Sequence, residues 1–449
     1  MINPLLSFNF VLNLQLLIRI YSQHISAPRL LYILQELFIR RLGMDYQLTD
    51  NLDDFQSYSG PKINYSHHEC ESAIQIVPHA IITEEHINNH VISVKHHHVW
   101  DTLMLEQQGE IPFELFAASF YLLSRYEEYL PHKVDDHGRF EADQSLAVQY
   151  GFIETPLIDK WALQLKIVLE NHFGRIQSTM PTYRFVSTFD IDTAYLYKGL
   201  EQERQLKKLV KSISFLNVTT LAEQYNVRKG KLRDPYDTYR YIAQVTNNCN
   251  VLYFILSGGE HEYDELIPIK TPEMQSLLKS LSKEYTLGLH PSYLSFDSKE
   301  IIEHEKQILE SSIQQQVIIN RQHFLRFRLP QTMNLLIESG IREDYSMAYS
   351  EIAGFRASTA HPFRFFDLEQ NIVTELLLYP TTLMDVTLRF SMNLTIHAAI
   401  TKAEQLIQEV KLVNGVFVSL WHNSNLSATN EWLPWKEVFE KIHTLASDT

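Results

Sequence analysis

From Tyr183 onward the chain alternates short apolar runs with helical stretches, and that alternation leaves few folds open. Residues 183–189, 251–256, 286–289, 317–320, 342–344, 375–379 and 416–420 read as strands. Between them, 271–284, 298–313, 330–338 and 395–413 repeat apolar residues at helical spacing. Strand followed by helix, repeated along the chain, is the pattern of βα units around a parallel sheet. It predicts an α/β fold, a barrel or a doubly wound sheet. In both, catalytic side chains gather just past the carboxyl ends of the strands.

The stretch before it reads as a smaller α/β region. Leu30, Ile33, Leu34, Leu37 and Phe38 predict a helix from Pro28 to Leu42, stopped at Gly43. Short strands are expected within 60–100, among them 73–77 and 90–94, then helices over 112–129 and 156–171. The expected division is an extension at 1–27, an accessory α/β region at 28–180 and the strand–helix repeat at 181–449. Residues 1–18 lack charge, but they contain Asn3, Pro4, Asn9 and Asn13, have no basic start and meet Arg19. They read as an amphipathic helix or an unpacked extension rather than a leader or anchor. No later run approaches the roughly 20 apolar residues of a membrane span, so no integral span is expected and the cytoplasm is the default address.

Thirty-nine basic against 54 acidic side chains give a net charge of −15, which repels a phosphate backbone and argues against a nucleic-acid partner. Two cysteines, Cys70 and Cys249, exclude a disulfide framework.

The strand-end rule selects Asp190 and Asp192 after the first strand, His290 after the third, Arg321 and His323 after the fourth, and His422 after the last. Residues two apart in a strand face the same way, so Phe189 and Ile191 can enter the core while both carboxylates face a pocket. His290 precedes Pro291, which keeps the chain extended or turning there. Two imidazoles and a carboxylate form a donor set for Zn²⁺ or a similar first-row ion. His422 can move a proton near neutral pH. Arg356, in a loop, could brace a carboxylate or bind substrate oxygens; Asp344 and Asp385 are weaker candidates. His96-His97-His98 and His67-His68-Glu69-Cys70 look metal-like, but consecutive strand residues point to opposite faces, so neither run can chelate one ion. Arg125 to Tyr129 and Asp135 to Phe140 read as a helix end and a polar turn.

Together these residues resemble the polysaccharide deacetylase (NodB-type carbohydrate esterase) family, in an offshoot with an extra amino-terminal region. Thr188-Phe189-Asp190-Ile191-Asp192 is similar to the family's first motif, Leu289-His290-Pro291-Ser292 to its histidine motif, Arg321 to its arginine motif and Ser419-Leu420-Trp421-His422 to its terminal motif. The order matches over about 183–449. The resemblance implies a distorted (β/α)7-type barrel, a divalent metal (Zn²⁺, with Co²⁺ or Ni²⁺ as substitutes) and a carbohydrate substrate bearing an N-acetylated sugar. It implies Asp190 as general base, Asp192 and His290 as metal ligands, His422 as general acid and Arg321 as the group orienting the base. The family's second histidine would stand four positions after the first, where this chain has Leu294. On strand-end geometry His323 replaces it. Tyr293, Trp421 and Arg356 are expected at the substrate. An incomplete metal cage would instead leave a non-catalytic glycan-binding or scaffold protein of surface-polysaccharide assembly. Hydrolysis of another C–N or glycosidic bond by the same carboxylates is the third reading.

Overall fold

The computed structural model describes residues 17–96, 100–103, 106–200, 218–247, 249–427 and 430–448. The amino-terminal part is built on four parallel strands, β1 (Ile18–Tyr21), β2 (Tyr46–Thr49), β3 (Lys62–Tyr65) and β4 (Ile74–Ile76), in the order β2-β1-β3-β4. Residues 18–21, expected in an extension, therefore form an inner strand. Ile18 and Ile20 are buried on either side of Arg19, which turns out to pair with Asp54, and a four-residue strand interrupted by an arginine shows little apolar signal. The remainder of the predicted amino-terminal segment, 1–16, lies outside the described residues, as do His97 and His98.

The helix expected from Pro28 is present as Pro28–Leu34 continuing into wider turns over Gln35–Arg41. A two-stranded antiparallel ribbon, β5 (Val94–His96) with β6 (Asp101–Leu103), follows, so the strand expected at 90–94 begins only at Val94. The helix expected over 112–129 is Leu115–Leu123 alone. Arg125 adopts φ 54°, a left-handed conformation that ends the helix before a short turn at Tyr126–Tyr129. That break lets the Arg125 guanidinium meet Glu128 and the Tyr349 hydroxyl, both at 2.7 Å. Helix Leu157–Phe173 closes this part.

The remaining strands are β7 (Arg184–Ile191), β8 (Asn250–Leu256), β9 (Thr286–His290), β10 (Ile319–Asn320), β11 (Glu343–Asp344), β12 (Phe363–Asp367), β13 (Ile372–Leu378), β14 (Leu383–Met384) and β15 (Val416–His422). They form one sheet ordered β12-β13-β11-β10-β9-β8-β7-β15-β14, parallel except for β12 against β13. Among the described residues the hydrogen-bonded ladder does not close, so of the expected distorted barrel the structure shows a mixed α/β arrangement on a mainly parallel sheet. The sheet is nonetheless strongly curled. In a flat sheet β13 and β15 would lie on the order of 29 Å apart, six strand spacings. Here Tyr379, next after β13, packs in one apolar cluster with Val416 and Val418 of β15, and the Thr382 amide donates to the Val418 carbonyl at 2.9 Å. The chain running from β13 into β14 thus bridges the gap that a ladder would fill.

Alternation decides what faces the inside of the curl. Val186, Leu252, Phe254, Ile319, Val416 and Val418 fill it, while Phe189, Ile191, Tyr253, Phe417 and Trp421 face the surrounding helices. Register then sets the rim. Strand β15 pairs with β7 from Val416↔Arg184 to His422↔Asp190, and β8 pairs with β9 as far as Leu256↔His290. Asp190, His290 and His422 consequently end at one level of the curled sheet.

Candidate metal centre and active site

Asp192, His290 and His323 offer ligand atoms that all lie within 4.8 Å of one another. Asp192 follows β7, His290 ends β9 and His323 begins a short turn after β10. His290 Nδ1 donates to the Arg321 carbonyl at 2.6 Å, and because a carbonyl only accepts, this fixes the tautomer and leaves Nε2 as the ligating nitrogen. His290 Nε2 stands 3.2 Å from Asp192 Oδ1 and 3.7 Å from Asp190 Oδ2. His323 is fixed in the same manner. Its Nδ1 donates to Asp264 Oδ1 at 3.0 Å, and its Nε2 faces Asp192 Oδ1 at 3.9 Å.

Asp192 Oδ1 is a buried oxygen with no hydrogen-bond partner, an arrangement that costs free energy unless something cationic meets it. An orphaned carboxylate oxygen facing two imidazole nitrogens, each oriented from behind by an acceptor, suits a first-row divalent ion and its supporting shell. The residues present fit such an ion. Leu294, at the position of the family's second histidine, is 46 % exposed and lies outside the cleft lining.

Two further pairs flank the triad. Arg321, fully buried, holds Asp190 Oδ1 at 2.8 Å and is itself fixed by the Tyr345 carbonyl, Thr381 Oγ1 and the face of Phe254. On the other side His422 Nδ1 donates to Asp385 Oδ1 at 2.9 Å, while its Nε2 looks toward Asp192 Oδ2 at 3.7 Å. Asp385 is locked by the His422 amide and Asn425 Nδ2.

The electrostatics follow from this crowding. Burial alone would push the Asp192 carboxyl up, but the close approach of the His290 imidazole and the charges of His323 and His422 hold it far below the usual carboxylate range. Burial disfavours charge on His290, yet Asp190 and Asp192 together raise it. Burial likewise opposes charge on His422, and Asp385 above all, followed by Asp192 and Asp190, overcomes it and lifts the imidazole to about 10. His422 is therefore protonated through the neutral range. Asp190, Asp192, His290, His323 and His422 line one cleft of about 690 Å³, and Arg321 and Asp385 stand behind it.

The other expected substrate contacts sit elsewhere. Trp421 is fully buried against Phe439, because the alternation that points Leu420 and His422 into the cleft turns it to the helices. Arg356 is buried in a bidentate pair with Glu128 and also reaches the Ala348 carbonyl, so it belongs to the scaffold. Tyr293 lies beneath the cleft wall, its hydroxyl bonded to His137 Nδ1 at 2.9 Å. Asp344 supports Asn320 and Ser346 from within the sheet. Asp264 was missed, although the strand-end rule applied to β8 leads to the segment Ser257 to Asp264. Asp385 proves to be the partner of His422.

Residues 18–174 match a family described as of unknown function (DUF7033). No curated protein sequence matches the chain. Among solved structures it overlaps a Mycobacterium smegmatis protein provisionally named a polysaccharide deacetylase, at 14 % identity and TM-score 0.38, over 61 % of this chain and 87 % of that one. It overlaps the polysaccharide deacetylase of Bacillus cereus at 11 % identity and TM-score 0.29, over 58 % and 86 %. A mutant CE4-family pseudoenzyme with restored enzymatic activity gives 10 % identity and TM-score 0.29, over 60 % and 63 %. The chemistry is carried by the side chains of the cleft, not by these distant overlaps. Among the described residues no helix is long and apolar enough to cross a membrane.

Proposed function

We propose that the protein is a metal-dependent hydrolase that removes an N-acetyl or related acyl group from a carbohydrate. The observation that supports this reading most is the unpartnered Asp192 Oδ1 facing His290 and His323, with a separately held carboxylate and imidazole on either side. Two imidazoles and one carboxylate favour Zn²⁺, with Co²⁺ or Ni²⁺ as replacements. When bound, the ion supplies Lewis acidity, which makes water a stronger acid and offsets negative charge developing on the carbonyl oxygen.

The chain's own groups supply the rest. Asp190 accepts the proton of the attacking water through Oδ2, since Oδ1 is held by Arg321. Arg321 keeps that carboxylate oriented. His422, protonated and aimed by Asp385, gives its proton to the departing amine nitrogen as the C–N bond breaks. Acetate and a free amino sugar result. The sugar assignment comes from the ordered motifs around Asp190, His290, Arg321 and His422.

The test is acetate release from an N-acetylated oligosaccharide before and after exhaustive chelation, and again after Zn²⁺ is restored. The expected outcome is release that disappears on chelation and returns with the ion. Release that survives chelation contradicts the reading, and glycan binding without any release favours the non-catalytic alternative.

A further inference from the structure

One wall of the cleft comes from the amino-terminal part. Asp135, Asp136, His137 and Arg139, a polar turn within the region matching the family of unknown function, line the same cavity as Asp190, Asp192 and His422. The turn is rigid: Asp135 Oδ1 accepts from the amides of His137 and Arg139, Arg139 Nε donates back to Asp135 Oδ2 at 2.7 Å, and Gly138 supplies the positive φ of 73°. It is also fastened to the curled sheet. Arg139 Nη1 donates to the Phe324 carbonyl at 2.6 Å, Arg326 Nε donates to the His137 carbonyl at 2.7 Å, and Tyr293 bonds the His137 ring.

What the turn fastens is unusual. Phe324 and Leu325, directly after His323, have φ of 61° and 52°, the left-handed region that bulky side chains avoid. Strain of this kind persists where surrounding contacts over-determine it, commonly at ligand sites. Its result here is an aromatic surface beginning where the triad ends. The Phe324 ring lies 4.8 Å from His323, 4.9 Å from His137 and 5.0 Å from Tyr263, which is 40 % exposed. Aromatic faces beside a few fixed polar groups are how proteins hold rings with apolar faces and hydroxyl edges.

Charge narrows the ligand further. The described lining contains the carboxylates of Asp135, Asp136, Asp190, Asp192 and Glu351 but no lysine and a single guanidinium, Arg139, already engaged by Asp135 and Phe324. Around the turn, away from the triad and from His422, which Asp385 holds, the described lining gives a uronate, sulfate or phosphate no unengaged cation.

We propose that the Asp135–Arg139 turn, with Phe324 and Tyr263, forms a subsite for the sugar unit next to the one being deacylated, so that the substrate is an uncharged N-acylated oligosaccharide rather than a single sugar. This rests on the deacylase reading and assigns a role to the amino-terminal part, which would otherwise only brace the sheet.

The test uses the full chain carrying Asp190→Asn, so that binding is measured without turnover. Calorimetric titrations compare N-acetylglucosamine with its β-1,4-linked dimer, trimer and tetramer, and with an oligogalacturonate as the anionic control. The expected result is affinity rising about tenfold from monomer to trimer, the scale of one added aromatic contact, with the anionic oligomer bound more weakly than the neutral one. Adding Tyr263→Ala or His137→Ala should remove the gain with length while thermal melting shows an intact fold. Equal affinity for monomer and trimer, a gain retained in both variants, tighter binding of the anionic oligomer, or no binding of any neutral oligomer each overturns the subsite. Acetate release by the unsubstituted protein is measured in parallel. Release without length preference discards the subsite alone, whereas length-dependent binding without release discards the reaction and keeps the subsite.

Discussion

Two buried clusters of charge stand in this molecule, and they are built on opposite plans. Where the amino-terminal part meets the curled sheet, three guanidiniums meet carboxylates directly: Arg41 lies 2.8 Å from Asp159 and 3.0 Å from Glu36, and Arg356 and Arg125 each lie 2.7 Å from Glu128. Burial would push the Glu128 carboxyl up, but the two arginines pull it down to about 2. At the rim of the curl the nitrogens instead stop at 3.2, 3.7 and 3.9 Å from the Asp192 oxygens, and one of those oxygens has no hydrogen bond. A closed cluster fixes two bodies of structure to each other. An open one holds its groups ready for something brought from outside.

Breaking the open cluster should abolish chemistry while sparing the fold. Asp190→Asn removes the proton acceptor but keeps an oxygen that Arg321 can donate to, so kcat for acetate release should fall about 10²- to 10⁴-fold, with the fold retained and a stability loss smaller than that of Arg356→Met. Breaking the closed cluster should do the reverse. Arg356→Met leaves Glu128 buried with half its partners gone, and a loss of about 3–5 kcal/mol is expected in denaturant unfolding, with KM for the substrate unaltered. A variant that lost substrate affinity and kept its stability would place Arg356 at the substrate after all.

Much of the open cluster was legible because strands obey a two-residue period and their ends are marked by polar residues after apolar runs. Asp190, Asp192, His290 and His422 carry that signature. The same period, carried to Trp421, would have turned it away from the cleft, since it stands between Leu420 and His422. The closed cluster was not legible. Glu128 and Arg356 are 228 positions apart, lie in a turn and a loop, and obey no period that could pair them. Asp264 was hidden for the same reason, in a loop after β8 without a motif. The open ladder depended on β14, a strand of two residues, and on where the chain between β13 and β14 runs. No apolar pattern marks either.

Acid and base sharpen the comparison through a smaller effect, because each part buries titratable groups that burial displaces, Glu114 and His443 among them. In the amino-terminal part burial raises Glu114 from 4.5 to about 8. Its folded pKa lies above the unfolded one, so the stability it lends is complete below pH 4.5 and is lost as pH rises toward 8. Under the curled sheet burial lowers His443 from 6.5 to about 4. Its contribution is complete above pH 6.5 and is lost as pH falls toward 4, by about 3 kcal/mol at most. Hydrogen exchange followed by region should show Leu115–Leu123 loosening on the alkaline side and Trp435–Ser447 on the acid side. Glu114→Gln and His443→Gln should each flatten one slope and leave the other.

The central claim is that Asp192, His290 and His323 share an ion, and metal stoichiometry tests it most directly. Purified protein equilibrated with Zn²⁺ and freed of excess should carry one equivalent by elemental analysis. Asp192→Ala, His290→Ala and His323→Ala should each lose it, and Asp264→Asn, which weakens the hold on His323 Nδ1, should weaken binding about 10- to 100-fold. Arg356→Met should keep the full equivalent. A parent protein that takes up no metal, or a His323→Ala variant that binds as tightly as the parent, contradicts the account.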